Sequence, residues 1–361
     1  MVATAQAIAG FPSRAFVNVG VAKSGPTRVV TSHKDDSIET LRGAAIILMV
    51  AGHVIGETHL VGLRVSDDSW LRYFYYSFKY LRMPLFTVIS GYLYAGRPAR
   101  RDTARQLIDS KARRLLLPLL TVSTTQYLVQ AMIPSSNQHV TLAGLPRILL
   151  WPYAQFWFLP ALFEMFLLAA WADTRGWLDR FDGWARWWLI IVGVYMATAR
   201  LQTDFLALSG FMWVLPFFFL GYGLRRFPAD LQQGPALAGA GAMFLVSFGI
   251  QQAVYCLHAP LGPEAQRLLA LAVGTSGITA LMAIRRPFEP LAWIGHYAYG
   301  IYLFHVFGTA GMRLVLRAAH VHDTAVLFSC CLFGGLAFPL VLQPLLERSA
   351  VTRKWVLGLK A

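Results

Sequence analysis

Charge is what this sequence has least of. Only 14% of its 361 residues are Asp, Glu, Lys or Arg, against 56% hydrophobic, where a soluble domain carries about a quarter charged. Polar stretches long enough to fold by themselves are missing too. The longest extracytoplasmic loop expected, 134–154, is too short for a domain, so any chemistry belongs to a helix bundle or its mouths. Cysteine is limited to Cys256, Cys330 and Cys331. Two of these are adjacent in an apolar run, which excludes a disulfide framework and points to core residues. Acidic residues are absent before Asp35, and the same stretch has no compact apolar region of the kind a cleaved secretory signal needs. Its basic, acid-free start has a passing likeness to an organelle transit peptide; residues 1–36 are taken as a flexible cytoplasmic tail.

What is present is hydrophobic length. Mean hydropathy is +0.50, and ten apolar spans are expected, at 38–57, 73–95, 113–133, 155–173, 185–200, 205–224, 235–257, 264–284, 291–312 and 324–346. The expected fold is therefore an all-α polytopic membrane protein of about ten transmembrane helices. With the N-terminus inside, 22 Lys and Arg residues lie on the inner side and 7 on the outer. The positive-inside rule then places both termini in the cytoplasm. It also accounts for the net charge of +14 as topology, so no nucleic-acid partner is expected. The domain reading is a tail over 1–36, a membrane domain over 37–347 and a basic cytoplasmic tail over 348–361.

The first span carries two residues foreign to hydrocarbon. In IETLRGAAIILMVAGHVIGE, residues 38–57, Arg42 and His53 are eleven residues apart. At 100° and 1.5 Å per residue they share a face roughly 16 Å apart along the axis. Ionisable groups within a span are costly and usually face a cavity or the bundle interior. The bland alternative is a snorkelling arginine and a histidine satisfied by a neighbouring helix. Glu57 falls one turn beyond His53, where it either orients or polarises the imidazole or is simply a solvated interfacial glutamate. Gly52 and Gly56 form a small-xxx-small pair that lets another helix come close.

Further along, Lys79 and Arg82 precede MPLFTVISGYLYAGR, where Pro84 is expected to kink the second span and Ser90-Gly91 to allow tight packing. The loop RPARRDTARQLIDSKARR holds seven cations against two aspartates, suited to anionic lipid headgroups or to the phosphates of a cytoplasmic metabolite. Trp157 and Phe158 open the fourth span as an interface belt or as an aromatic platform for a sugar, and Glu164 lies deeper in it. The ninth span holds His296, Tyr297, Tyr299, Tyr302 and His305. In a continuous helix the two histidines fall about 180° apart and cannot share a cavity. His320-Val321-His322-Asp323 is only a weak likeness of a metal clip.

Five stretches then carry a resemblance. LRGAAIILMVAGH is similar to the arginine, ten residues, histidine motif of integral-membrane acyltransferase family three, enzymes that O-acylate bacterial surface and exported polysaccharides. MPLFTVISGYLYAGR resembles its second-helix motif, RRLLLP its inner loop, QFWFLPALF its tryptophan-phenylalanine-leucine motif, and YGIYLFH its penultimate-helix signature. The likeness runs from residue 38 to about 310, in the same order. It implies transfer of an acyl group, most often acetyl, from cytoplasmic acetyl-CoA to a sugar hydroxyl of an exported polysaccharide or its lipid-linked precursor, in a bacterial inner membrane and without a metal. By carry-over His53 is the catalytic histidine and Arg42 its motif partner. Ser90, Arg97, Arg113 and Arg114 lie along the donor's route, and Trp157 and Phe158 meet the acceptor. Glu57, Glu164, Tyr302 and His305 are candidates for support. The competing readings are a transporter of anionic or sugar substrates and a haem protein with His53 and His305 as axial ligands.

Overall fold

The computed structural model describes residues 35–133 and 140–360. All but the last two residues of the expected N-terminal tail, and 134–139 of the expected outer segment, lie outside these. Among the described residues every regular element is helical. In chain order they are α1 (Asp36–Ile55), α2 (Trp70–Ser77), α3 (Lys79–Ala95), α4 (Ala104–Ala131), α5 (Phe158–Asp173), α6 (Phe181–Ala197), α7 (Leu208–Arg226), α8 (Pro228–Leu231), α9 (Gly234–Cys256), α10 (Pro263–Ile284), α11 (Glu289–His296), α12 (Ala298–Ala318), α13 (Thr324–Glu347) and α14 (Ala350–Trp355). Short 3-10 turns at Leu142–Leu149 and Ala154–Trp157 lead into α5, and a third at Phe205–Ala207 leads into α7.

Among the described residues six helical stretches are long and apolar enough to cross a membrane, the ones that contain α1, α5, α7, α9, α10 and α13. The remaining four expected spans fold as α2 with α3, α4, α6, and α11 with α12. These fall short in length, as do the 17-residue α3 and α6, or in composition.

Two expected spans are not continuous helices. The second breaks at Phe78 (φ −98°, ψ 3°), between α2 and α3. Pro84 sits inside α3 instead of marking the change of direction. The ninth breaks at Tyr297 (φ −96°, ψ 2°), between α11 and α12. Both residues hold the sparsely populated bridge conformation, which redirects the chain without a glycine or proline at the break. A helical-wheel comparison of His296 with His305 therefore does not apply. The described part of the C-terminal stretch, 348–360, also does more than trail. It forms α14, which is tied to α4: Thr121 Oγ1 donates to the Trp355 carbonyl at 2.8 Å, and Leu357 just beyond α14 is buried.

α3 packs along α7, α12 along α13, and α1 along α11. The α3–α7 crossing is glycine-mediated from both sides. A Cβ on Gly91 would overlap the Phe218 carbonyl, and one on Gly221 would overlap that of Val88. Such backbone proximity is what small residues provide where lipid offers no hydrophobic drive for helix association.

Candidate functional site

α1 sets the two levels at which ionisable groups meet. It begins with Asp35 accepting from the Ser37 N–H at 3.0 Å, and it ends at Gly56, whose φ of 89° suits glycine alone. The loop beyond folds back, with the Leu63 N–H donating to the Val54 carbonyl at 2.9 Å, and Arg72 Nη1 donates to the Gly56 carbonyl at 2.5 Å. His53 thus lies in the last turn, at the far face of the bundle, while Arg42 lies toward the near face where α1 begins.

His53 opens onto a cavity of about 360 Å³. The loop after α1 contributes Val61 and Gly62. The end of α4 contributes Gln126, Val129, Gln130 and Ile133, the 3-10 turn before α5 contributes Tyr153 to Gln155, and α12 contributes residues between Val306 and Leu314. Although His53 belongs to a tightly packed helix, its side chain is exposed, and the surface it exposes is this cavity. The volume matches the lower range of small-ligand sites.

On its packed side His53 meets a second imidazole. The rings of His53 and His305 have centroids 4.9 Å apart at 44°. His305 Nδ1 lies 2.9 Å from the Tyr302 carbonyl and 3.1 Å from that of Ile301. Both oxygens only accept, so Nδ1 carries the proton and Nε2 presents a lone pair. That Nε2 is buried with no hydrogen-bond partner among the described residues. Below it, the Tyr302 hydroxyl donates to the Gln155 carbonyl at 2.6 Å, and Gln155 Nε2 donates to Gln126 Oε1 at 2.7 Å. Tyr153 donates to Gln130. The site is therefore walled by amide and phenol groups already tied to one another, which hold their positions without a ligand.

A guanidinium completes the surroundings. Arg82 lies with its Cζ 4.0 Å from the centroid of the Tyr75 ring, and its Nη1 occupies the space that a Cβ on Gly52 would need. Its charge is within electrostatic reach of His53. Gly52 thus makes room for an arginine, and Gly56 ends a helix; the pair is not the helix-contact motif that its spacing suggested. Arg82 itself turns inward over Tyr75.

The residues expected with His53 divide between the two faces. Arg42 Nη1 donates to both carboxylate oxygens of buried Glu39 at 2.9 Å. Glu39 also faces His296 Nδ1 at 3.7 Å, so Arg42 is engaged on the near face, away from His53. Arg114 joins it there. Its Cζ is 4.3 Å from the Tyr299 ring centroid, its carbonyl accepts from Tyr299, and Arg42 lies within its electrostatic reach. Arg113 Nε is buried and has no hydrogen-bond partner among the described residues. Ser90 donates to the Phe86 carbonyl at 2.9 Å, and Arg97 lies beyond the end of α3. None of these five lines the cavity at His53. Between the two levels α12 presents Tyr299, Tyr302 and His305 at every third position, a polar stripe about 9 Å long by helix rise.

The other expectations fare differently. Glu57 follows the Gly56 turn and is not on the helix face of His53; its charge reaches Tyr75 and Lys79 instead. Glu164 is half-buried in α5 and does not line the cavity. Trp157 packs on Gly210 of α7, and Phe158 is buried edge-on to Tyr302, with centroids 6.0 Å apart. Both are packing residues beside the site, not a platform within it. With their rings in contact, His53 and His305 leave no space for a macrocycle, so the haem reading does not fit. No group of three or more metal-ligating side chains occurs among the described residues, and Asp323 accepts from the Val326 N–H as the cap of α13.

Sequence reasoning missed Gln126, Gln130, Tyr153 and Arg313 as cavity walls. Each is an ordinary polar residue near a helix end, and only the convergence of α4, the pre-α5 turn and α12 gives it a role.

Comparison with known proteins bears on this geometry. A family model described as an acyltransferase domain, of acyltransferase family 3, matches residues 35–343. Nodulation protein NolL of Sinorhizobium fredii (strain NBRC 101917 / NGR234) is 28% identical over 211 residues, covering 57% of this chain and 53% of the relative. Nodulation protein NolL of Mesorhizobium japonicum (strain LMG 29417 / CECT 9101 / MAFF 303099) is 26% identical over 220 residues, covering 60% and 55%. The chain thus spans about half the length of the curated relatives it matches. No solved structure matches it.

Proposed function

Because this chain belongs to acyltransferase family 3, we propose that it is a multi-pass membrane O-acyltransferase that moves an acetyl group from cytoplasmic acetyl-CoA to a sugar hydroxyl. The near face, with Arg42, Arg113 and Arg114, is the cytoplasmic side in this reading, in keeping with the excess of Lys and Arg on that side. The far face opens away from the cytoplasm. The observation that carries the proposal is that His53 is packed against His305 on one side and exposed to a cavity on the other.

A sugar hydroxyl is a poor nucleophile at neutral pH and needs a base within hydrogen-bond reach. His53 takes the hydroxyl proton as the oxygen attacks the thioester carbonyl. The tetrahedral intermediate then collapses, the carbon–sulfur bond breaks, and the imidazolium returns its proton to the departing thiolate. His305, with Nδ1–H fixed by two carbonyls, supports the His53 ring as a positioning residue. The cationic near face suits the phosphates of coenzyme A, because arginine forks match phosphate geometry. The pantetheine arm follows the Tyr299–Tyr302–His305 stripe. Membrane lipids surround the bundle, and the acceptor enters from the far face. The localisation we assign is a bacterial inner membrane.

The test is mass spectrometry of exported glycans from cells carrying the wild-type protein or His53→Ala, with membrane insertion measured alongside. Loss of O-acetyl groups at normal protein level is expected; retained acetylation overturns the reading. Substrate uptake by proteoliposomes in the absence of any coenzyme A thioester would favour a transporter instead.

A further inference from the structure

Seven arginines fall on the far side of the bundle by sequence: Arg64, Arg72, Arg147, Arg200, Arg267, Arg313 and Arg317. Four are engaged locally. Arg72 holds two backbone carbonyls and lies 3.4 Å from Asp67. Arg147 lies over Trp151, Arg200 pairs with Glu264 at 2.5 Å, and Arg267 covers Tyr195 and donates to Thr198 at 3.1 Å. The other three converge. Arg313 forms part of the cavity wall, and the arginines within its electrostatic reach are Arg317 and Arg64. Arg313 donates to the Gly62 carbonyl at 2.8 Å, which fixes the guanidinium but leaves its charge uncompensated. Among the described residues, none of the three has a carboxylate within ion-pair distance.

Three like charges, one in the cavity wall and two within its electrostatic reach, repel one another and bias the cavity toward anions. A guanidinium kept half-buried without a carboxylate is a binding group awaiting an anion. The register is also suitable. Arg313 is eight residues beyond His305 on α12, about 12 Å along the axis. Long side chains on a helix lean toward its N-terminus, which tilts Arg313 back toward the imidazoles. Val129, Ile133 and Leu314 supply an apolar wall alongside.

Resting on the acyl-transfer reading above, we propose that the acceptor bears an oxyanion beside the sugar that is acylated, and that Arg313 binds it while Arg64 and Arg317 attract it to the mouth. Two sources carry that chemistry: the phosphate that links a sugar to a lipid, and the carboxylate of an acidic sugar.

The experiment measures binding, with no acyl donor present, to the full-length protein in detergent. The radiolabelled probes are methyl glucoside, glucuronic acid and a short-chain prenyl phosphoglucose. At least one anionic probe should bind about tenfold or more tighter than the neutral one, the scale of a charge-assisted hydrogen bond, and the gap should narrow as salt is raised. Arg313→Gln should remove the gap and Arg313→Lys retain part of it. Since Arg313 also ties down Gly62, the double variant Arg64→Gln/Arg317→Gln tests the charge without touching that bond, and it should reduce both the gap and its salt dependence. A gap confined to prenyl phosphoglucose assigns the linker phosphate; a gap for glucuronic acid assigns the acidic sugar. Equal binding of all three probes, or a gap that survives in both variants, overturns the proposal. His53→Ala should keep the gap between anionic and neutral probes, so a failure here is distinct from a failure of acyl transfer.

Discussion

The two ends of α1 handle buried polarity in opposite ways. At the near end Arg42 is paired with Glu39, Glu39 also faces His296, and Arg114 is spread over Tyr299. At the far end His53 has a second imidazole on one side, a guanidinium in reach and open space on the other, and His305 Nε2 has no partner among the described residues. A satisfied ion pair anchors structure. The imidazole that opens onto the cavity, His53, is available to a substrate hydroxyl, whereas His305 is wholly buried behind it and outside the lining. One helix thus separates a satisfied polar cluster from an open one by about three turns.

The largest expected effect is at His53. His53→Gln should lower acyl transfer by about 10²–10⁴-fold, the usual share of a general base, with thermal stability close to wild type; measuring both in purified protein sharpens the contrast. The contrast would break if Arg42→Ala lowered kcat as much as His53→Gln at saturating acyl donor, since a near-face arginine is expected to act on donor affinity and stability and not on the proton transfer.

Gly52 comes next. Gly52→Ala pushes a Cβ into the guanidinium of Arg82, the mobile end of a long side chain, so lower activity is expected as Arg82 swings away from His53, with a stability cost of about 1 kcal/mol, the low end for overpacking. Gly52→Ala/Arg82→Ala should recover much of the stability but not the activity. If it recovers neither, the close approach is not the reason for the glycine.

At the near end, Glu39→Gln strips the carboxylate from Arg42. A loss of about 1–3 kcal/mol in unfolding free energy is expected for breaking a partly buried charged hydrogen bond, with little change in the pH profile of transfer. The smallest effect should be that of Tyr302→Phe, which removes one hydrogen bond to the Gln155 carbonyl and should cost about 1 kcal/mol, visible as a small drop in melting temperature.

Part of this is legible in the sequence alone. The 3.6-residue period makes Arg42 and His53 conspicuous within one helix, and the composition makes the chain a membrane protein. The grouping around His53 is not legible. It depends on the break at Phe78, which precedes Arg82 by one turn of α3, and on the break at Tyr297, which sends His296 to Glu39 and leaves His305 to α12. Glu57 shows the same limit at short range. Spacing alone carries it onto the face of His53, but a positive φ at Gly56 takes it off the helix.

Local physics, namely the cost of charge in hydrocarbon, the helical period and the bias of Lys and Arg to one side, was enough to mark α1, its arginine and its histidine, and the order of motifs was enough to indicate the family. Tertiary structure alone decided that His305, Arg82, the paired glutamines and Arg313 surround His53 while Arg42 does not. Those neighbours come from helices far apart in sequence, and the angles at which the helices meet are fixed by close backbone crossings and two helix breaks that no single segment encodes.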